Sequence, residues 1–253
     1  MSILDSYKDQ LARLKTACDL AFGEGMTANS GSPEDQAVIF PLGVIARNLY
    51  EEVVCLVDQG LGFAALRTSR TLYECVIICL YMDKRPETCK NYLATWSANW
   101  AQVIRNVPQA EQNLPDIHKT LTEQVPAYAN GKKHISLSWN DDGTTQKMAM
   151  DIGISSHFHS LAFNYASAFV HPSPLFFTRN FVKLPGTSQF VPGKTTQDQE
   201  AKFALKITHD LIIDAIRLRL KYSDNIALRE SLANCEQDFL NIWGYKPQLT
   251  AAS

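Results

Sequence analysis

The sequence predicts an all-α fold, a bundle of about seven to nine helices. Three observations predict it. Apolar residues recur at spacings of three and four along most of the chain. Apart from Pro41 and Gly43, proline and glycine stand at the ends of these periodic stretches or between them, as helix stops and starts require. Alternating or turn-rich patterns are confined to two places, which leaves room for at most a short strand pair near 134–148 or 177–192.

The first helix is expected over 2–22, where Ile3, Leu4, Tyr7, Leu11, Leu14, Cys18 and Ala21 form one stripe. Gly23 and Gly25 stop it, and a Gly/Ser-rich loop follows. Ser32-Pro33 reads as an N-cap with proline at the first helical position. That second helix runs to about Gln59 with Gly60 as its stop, and Pro41 within it predicts a kink or a late start. Helix three, 62–83, is the most apolar and is expected at the centre. A fourth helix, 87–106, carries Trp96 and Trp100 one turn apart, and a weaker one covers 116–124.

Ile135–Trp139 alternates and Asn140–Gly143 signals a turn, so a short strand or extended loop is expected there. Thr144 or Thr145 should cap a short helix ending near Gly153. Ser155 or Ser156 should cap the next, 156–170, stopped by His171-Pro172. Residues 172–195 read as a long ordered loop, with room for a short hairpin. Thr195 or Thr196 starts a long helix to Tyr222, and a last helix, 226–242, ends at Gly244. The whole chain, 1–253, reads as a single helical domain.

Composition narrows the function classes. The chain has 253 residues, 45% hydrophobic and 20% charged, so it can build a core without a metal or disulfide staple. The net charge of −2 excludes a polycation dedicated to duplex DNA. The six cysteines lack Cys-x-x-Cys spacing and sit mostly in apolar helical runs, as reduced buried thiols do. The N-terminus has no apolar signal segment. The longest apolar run, Cys75–Met82, falls well short of the ~20 residues a bilayer demands. A cytoplasmic location, with no membrane partner, follows by elimination.

Two segments stand out. On helix three, Arg67, Arg70 and Glu74 interrupt an apolar sequence, with Arg67 and Glu74 nearly eclipsed and Arg70 one turn from Glu74. Charges on such a helix are costly unless paired or facing a cavity. They form either an Arg70–Glu74 pair at the bundle surface or a half-buried cluster that binds an anion, for which the arginine fork is suited. The second segment is Tyr165-Ala-Ser167-Ala-Phe-Val-His171-Pro172. Ser167 and His171 share a face, with Tyr165 at its border. His171 either caps the helix end or serves as general acid or base.

Together the segments resemble a bacterial family of helical proteins of unknown function, over about residues 40–175. Its members pair an apolar Arg/Glu helix with a later Tyr-x-x-x-Ser-type helix ending in His-Pro or His-Gly, preceded by a tryptophan-containing loop such as Ser138-Trp139. That family is similar to the HEPN helical bundles, several of which are metal-independent RNases of toxin–antitoxin, abortive-infection and CRISPR systems. The resemblance implies RNA, a second copy of the chain and a protein of the same operon as partners, with no cofactor and no metal. It makes His171 the catalytic histidine. The HEPN arginine should stand just before that histidine, where this chain has Tyr165, Ala166 and Ser167 instead. Arg67 or Arg70 would have to supply the guanidinium, with Glu74, Tyr165 and Ser167 binding substrate.

Weaker signals point elsewhere. Gly193-Lys194-Thr195 resembles only the tail of a P-loop. Arg179, Lys183 and Lys194 lie among Phe177, Phe181 and Phe190, which suits either single-stranded nucleic acid or a loop packed on the bundle. His157 and His159 point apart, unlike a zinc pair. Two functions therefore stand: a HEPN-like RNA-binding or RNA-cleaving protein of a defence or toxin system, or a non-catalytic helical protein–protein interaction module whose Arg/Glu/Tyr/His network is structural.

Overall fold

The computed structural model describes residues 5, 7–23, 33–124, 144–171, 173–192 and 197–247. It is an all-α bundle with one small hairpin. Helix α1 spans Lys8–Phe22, α2 Pro33–Asp58, α3 Gly62–Lys84 and α4 Glu87–Arg105. Short helices follow: α5 Ala110–Asn113, α6 Pro115–Gln124, α7 Thr145–Asp151 and α8 Ser156–His159. The last of these runs directly into a π-helical segment, Ser160–Tyr165. Then come α9 Pro174–Asn180, β1 Phe181–Lys183, β2 Phe190–Pro192, α10 Asp198–Lys221 and α11 Ile226–Trp243. The expected strand or loop at 130–143, with Trp139, and the Gly193–Thr195 segment lie outside the described residues.

Helix α3 is sandwiched between α2 and α10, and α1 packs against α11 and α10 to close the far side. The reason is visible in the side chains. Leu66, Leu72, Tyr73, Val76 and Ile77 of α3 are fully buried, as are Ile212, Ile213 and Ile216 of α10. Each such side chain contributes about 1.5–3 kcal/mol by leaving water. The predicted stripe of α1 is buried at Leu11, Leu14, Cys18 and Ala21. Gly43 of α2 lies where the Phe22 ring closes in, since a Cβ there would stand 2.3 Å from that ring. Helix α2 continues through Pro41 without an early end.

Helix ends follow local chemistry. Gly60 adopts φ +72, and the Leu61 amide donates to Leu56 O across the end of α2. Thr144 and Ser155 cap α7 and α8 through their hydroxyls. Arg219, only 1% exposed, donates from Nε to the carbonyl of Ala21 in the last turn of α1 and lies over the Phe40 ring. Its donor satisfies a carbonyl that has no partner within its own helix.

Two expectations are corrected. Residues 172–195 are not one long loop. Ser173 accepts from the Phe176 amide and Pro174 fills the first turn, so α9 forms before the hairpin. Val182 pairs with Val191 across that hairpin. Phe177 stacks on Phe181 at 4.9 Å and meets Phe190 edge-on at 5.0 Å. Phe177 and Phe190 stay exposed rather than packing into the core. The helix expected at 156–170 is not regular either, because the π segment interrupts it.

Candidate functional site

The π segment positions the site. A π turn holds one extra residue, so every later side chain is rotated by roughly 100° relative to an unbroken α-helix. Phe158, His159, Ala162 and Ala166 are buried. After Tyr165 the chain tightens: Phe169 donates to Ala166 O and Val170 to Ser167 O, each bond closing over three residues. Ser173 Oγ then donates to Ala168 O, finishing the helix end.

On one face of this segment, Arg70 of α3 meets Ser167. Arg70 Nε donates to Ser167 Oγ at 2.7 Å, and Ser167 Oγ donates in turn to Phe163 O at 2.6 Å. The hydroxyl thus uses its single proton and one lone pair. Arg70 Nη2 pairs with Glu74 at 3.3 Å, as the i, i+4 spacing predicts. The guanidinium lies 4.5 Å from the centre of the Phe163 ring. Burial pushes the Glu74 carboxyl up, and Arg70 pulls it partly back. Arg70 and Glu74 both keep some solvent access, at 24% and 32% of the side chain.

Beneath this cluster lies a second pair that sequence reading missed. The Tyr73 hydroxyl and His159 Nδ1 share a hydrogen bond of 2.8 Å. His159 stacks on Phe163 at 5.1 Å and is 3% exposed, and desolvation lowers its pKa. In the sequence, His159 shows only an i, i+2 spacing from His157 that does not suit a metal. Its place beside the α3 charges follows from an i, i+4 relation to Phe163 that periodicity alone could have suggested.

The other sequence candidates are dispersed. Arg67 and His171 are exposed, and no hydrogen bond or ion pair joins the His171 side chain to Arg67 or Arg70 among the described residues. Tyr165 does not border the Ser167 face. It packs edge-on against Phe169 at 5.2 Å and Phe203 at 5.5 Å, towards α10. There it lines an open groove of about 640 Å³ with Phe203, Trp243, Arg179, Lys202 and Lys206. Among the described residues, no group of three His, Cys, Asp or Glu side chains could hold a metal ion, and no helix is long and apolar enough to cross a membrane.

A family model described as "Family of unknown function (DUF5677)" matches residues 36–187, more than half of the chain. A search of curated proteins and one of solved structures gave no match. The matched stretch contains Arg70, Glu74, Ser167 and His171, as well as Tyr165 and Arg179 of the groove. Lys202, Phe203, Lys206 and Trp243 lie beyond it.

Proposed function

The chain belongs to DUF5677, a family of unknown function, and on that premise we propose that it is a non-catalytic helical interaction module. One observation carries this reading: two donors of the Arg70 guanidinium are engaged by Ser167 and Glu74, with Phe163 beneath it. A cation so anchored joins α3 to the π segment. Its carboxylate neighbour compensates its charge, which weakens any pull on a scissile phosphate. His171 stands outside the cluster, so the pairing of histidine and arginine that HEPN cleavage requires is not supported.

A second reading, a HEPN-like RNase of a defence or toxin system, keeps one observation in its favour. Arg70 contacts Ser167, one turn before His171, so the two sequence segments converge. Incubation of the pure protein with total RNA separates the readings. The interaction module leaves RNA length unchanged on a denaturing gel, for wild type and His171→Ala alike. Shortened RNA with wild type and intact RNA with His171→Ala would overturn it and establish the nuclease.

A further inference from the structure

We propose that the groove between the π segment, α9, α10 and α11 docks an acidic amphipathic helix of a partner protein. This rests on the reading of the chain as an interaction module and names the partner's chemistry. Lys202 and Lys206 of α10 face the groove with Arg179 of α9, and no carboxylate is among the described lining residues. The lysines paired with carboxylates among the described residues are Lys15, Lys84 and Lys221, so Lys202 and Lys206 keep their charge for a partner. Arg179 differs, because its Nε stands 3.6 Å from the buried Glu200 carboxylate, which compensates part of its charge. The two lysines therefore carry a local positive excess in a chain of net charge −2. The open groove between α1 and α2 lacks this bias. It sets Glu51 and Asp58 beside Lys8 and Lys15, and Lys15 pairs with Glu51.

The partner's secondary structure follows from the walls. The described lining residues all belong to helical segments, so no strand edge there offers backbone groups to an extended peptide. A helix needs side-chain contacts alone. Lys202 and Lys206 are one turn apart on α10, so two carboxylates one turn apart on an incoming helix meet both. Lys206 Nζ lies 4.5 Å over the Tyr245 ring, which holds its ammonium in place. The partner's apolar face meets Tyr165, Phe203, Ile242 and Trp243. Trp243 Nε1 donates to His209 Nδ1 at 3.4 Å, and Phe203 meets Tyr165 edge-on at 5.5 Å, so these rings are already fixed in the free chain. Anchors ordered in advance lose little entropy on binding. Tyrosine, tryptophan and arginine are also the side chains in which interface energy concentrates. Lys202, Phe203, Lys206 and Trp243 lie outside the stretch that the family model matches, so the docking surface belongs largely to the C-terminal helices of this chain.

The test is selection of phage-displayed random peptides of about 16 residues on the full chain, a length that gives a bound helix of about four turns. The enriched sequences carry Asp or Glu one turn apart, beside apolar residues at spacings of three and four. The most enriched peptide, synthesised with a fluorescent label, binds wild type in an anisotropy titration. Lys202→Glu, a change at an exposed position, weakens that binding by about tenfold or more, as loss of a charge-assisted contact does. Lys202→Glu/Lys206→Glu abolishes it, and a melting curve checks that the variant is folded. If the double variant does not fold, Lys202→Glu alone decides. No enrichment, enriched peptides without an acidic excess, or an affinity unchanged in Lys202→Glu would overturn the proposal. Enriched peptides that bind wild type and both variants equally place the interaction surface elsewhere, which sinks the groove and leaves the interaction-module reading standing. A single-stranded RNA that binds wild type more tightly than the selected peptide, and is lost in Lys202→Glu, also overturns the proposal by making nucleic acid the occupant. Shortening of total RNA by wild type bears on the non-catalytic reading alone and leaves the peptide result standing.

Discussion

Arg70 Nε and Ser167 Oγ are joined at 2.7 Å across 97 residues of sequence. The bond is the only direct link between the two unusual sequence segments that the described side chains provide. It ties α3 to the π segment at the place where the helix path is irregular. Ser167→Ala removes this bond and the one to Phe163 O, and should cost about 1 kcal/mol, since neither partner is fully withdrawn from water. Arg70→Ala also removes the contacts to Glu74 and the Phe163 ring and should cost more. A double-mutant cycle by urea unfolding should return a coupling of about 0.5 kcal/mol or more. Additive effects would mean that the bond does not contribute.

This clamp was partly legible in the sequence, and the reason is instructive. Arg70 and Glu74 sit on a regular helix, so their pairing follows from spacing. The apolar stripe of α1 and the caps at Thr144 and Ser155 were readable on the same local grounds. Tyr165 stands two residues before Ser167, about 200° away around a helix, so spacing already puts it on the opposite face, towards Phe203. Helix α9 was missed although Ser173-Pro174 is a start signal, because the surrounding prolines and glycine read as a loop. The groove depends on Lys202, Phe203 and Trp243 meeting Tyr165 in space, a tertiary relation that no local pattern encodes.

His171 and Arg67 should be thermodynamically silent. Both are exposed, and no hydrogen bond or ion pair ties either side chain to the bundle among the described residues. His171→Ala and Arg67→Ala should each leave unfolding free energy within about 0.5 kcal/mol of wild type. Urea denaturation checks this directly. A loss of more than about 1 kcal/mol for His171→Ala would show a structural role at the helix end that the geometry does not contain.

Gly62 opens α3 against the start of α10. A Cβ there would stand 2.2 Å from Gln197 O and 2.8 Å from the Ala201 amide, both backbone atoms. Alanine normally stabilises a helix by about 1 kcal/mol over glycine. Overpacking against backbone costs about 1–3 kcal/mol, because neither helix can yield without moving the other. The second effect wins, so Gly62→Ala should be destabilising, with a melting temperature lower by about 2–4 °C for each kcal/mol lost. A rise in melting temperature would show that α3 and α10 separate at little cost.

His209 should make stability sensitive to acid. It is 2% exposed on α10, against the Phe239 ring, and Nδ1 accepts from Trp243 Nε1 at 3.4 Å. Burial holds its pKa down at about 4, partly opposed by the charge of Asp238. The unfolded chain, with histidine near 6.5, therefore binds more protons than the folded one between those two values. Stability rises with pH through that window and is lost on acidification. From pH 7 to pH 5 the loss from this one residue should be about 2 kcal/mol. His159, also lowered by desolvation, acts in the same direction. Asp214 acts in the opposite one, because burial beside Asp210 raises its pKa, so the folded state there holds its proton to higher pH. The total slope is thus a sum of both signs, and only a comparison isolates His209. His209→Gln keeps an acceptor for Trp243 and removes the titration. Its unfolding free energies from urea titration at the two pH values should differ by about 2 kcal/mol less than those of wild type. An unchanged difference would mean that His209 is charged in the folded protein, or reaches water when it titrates.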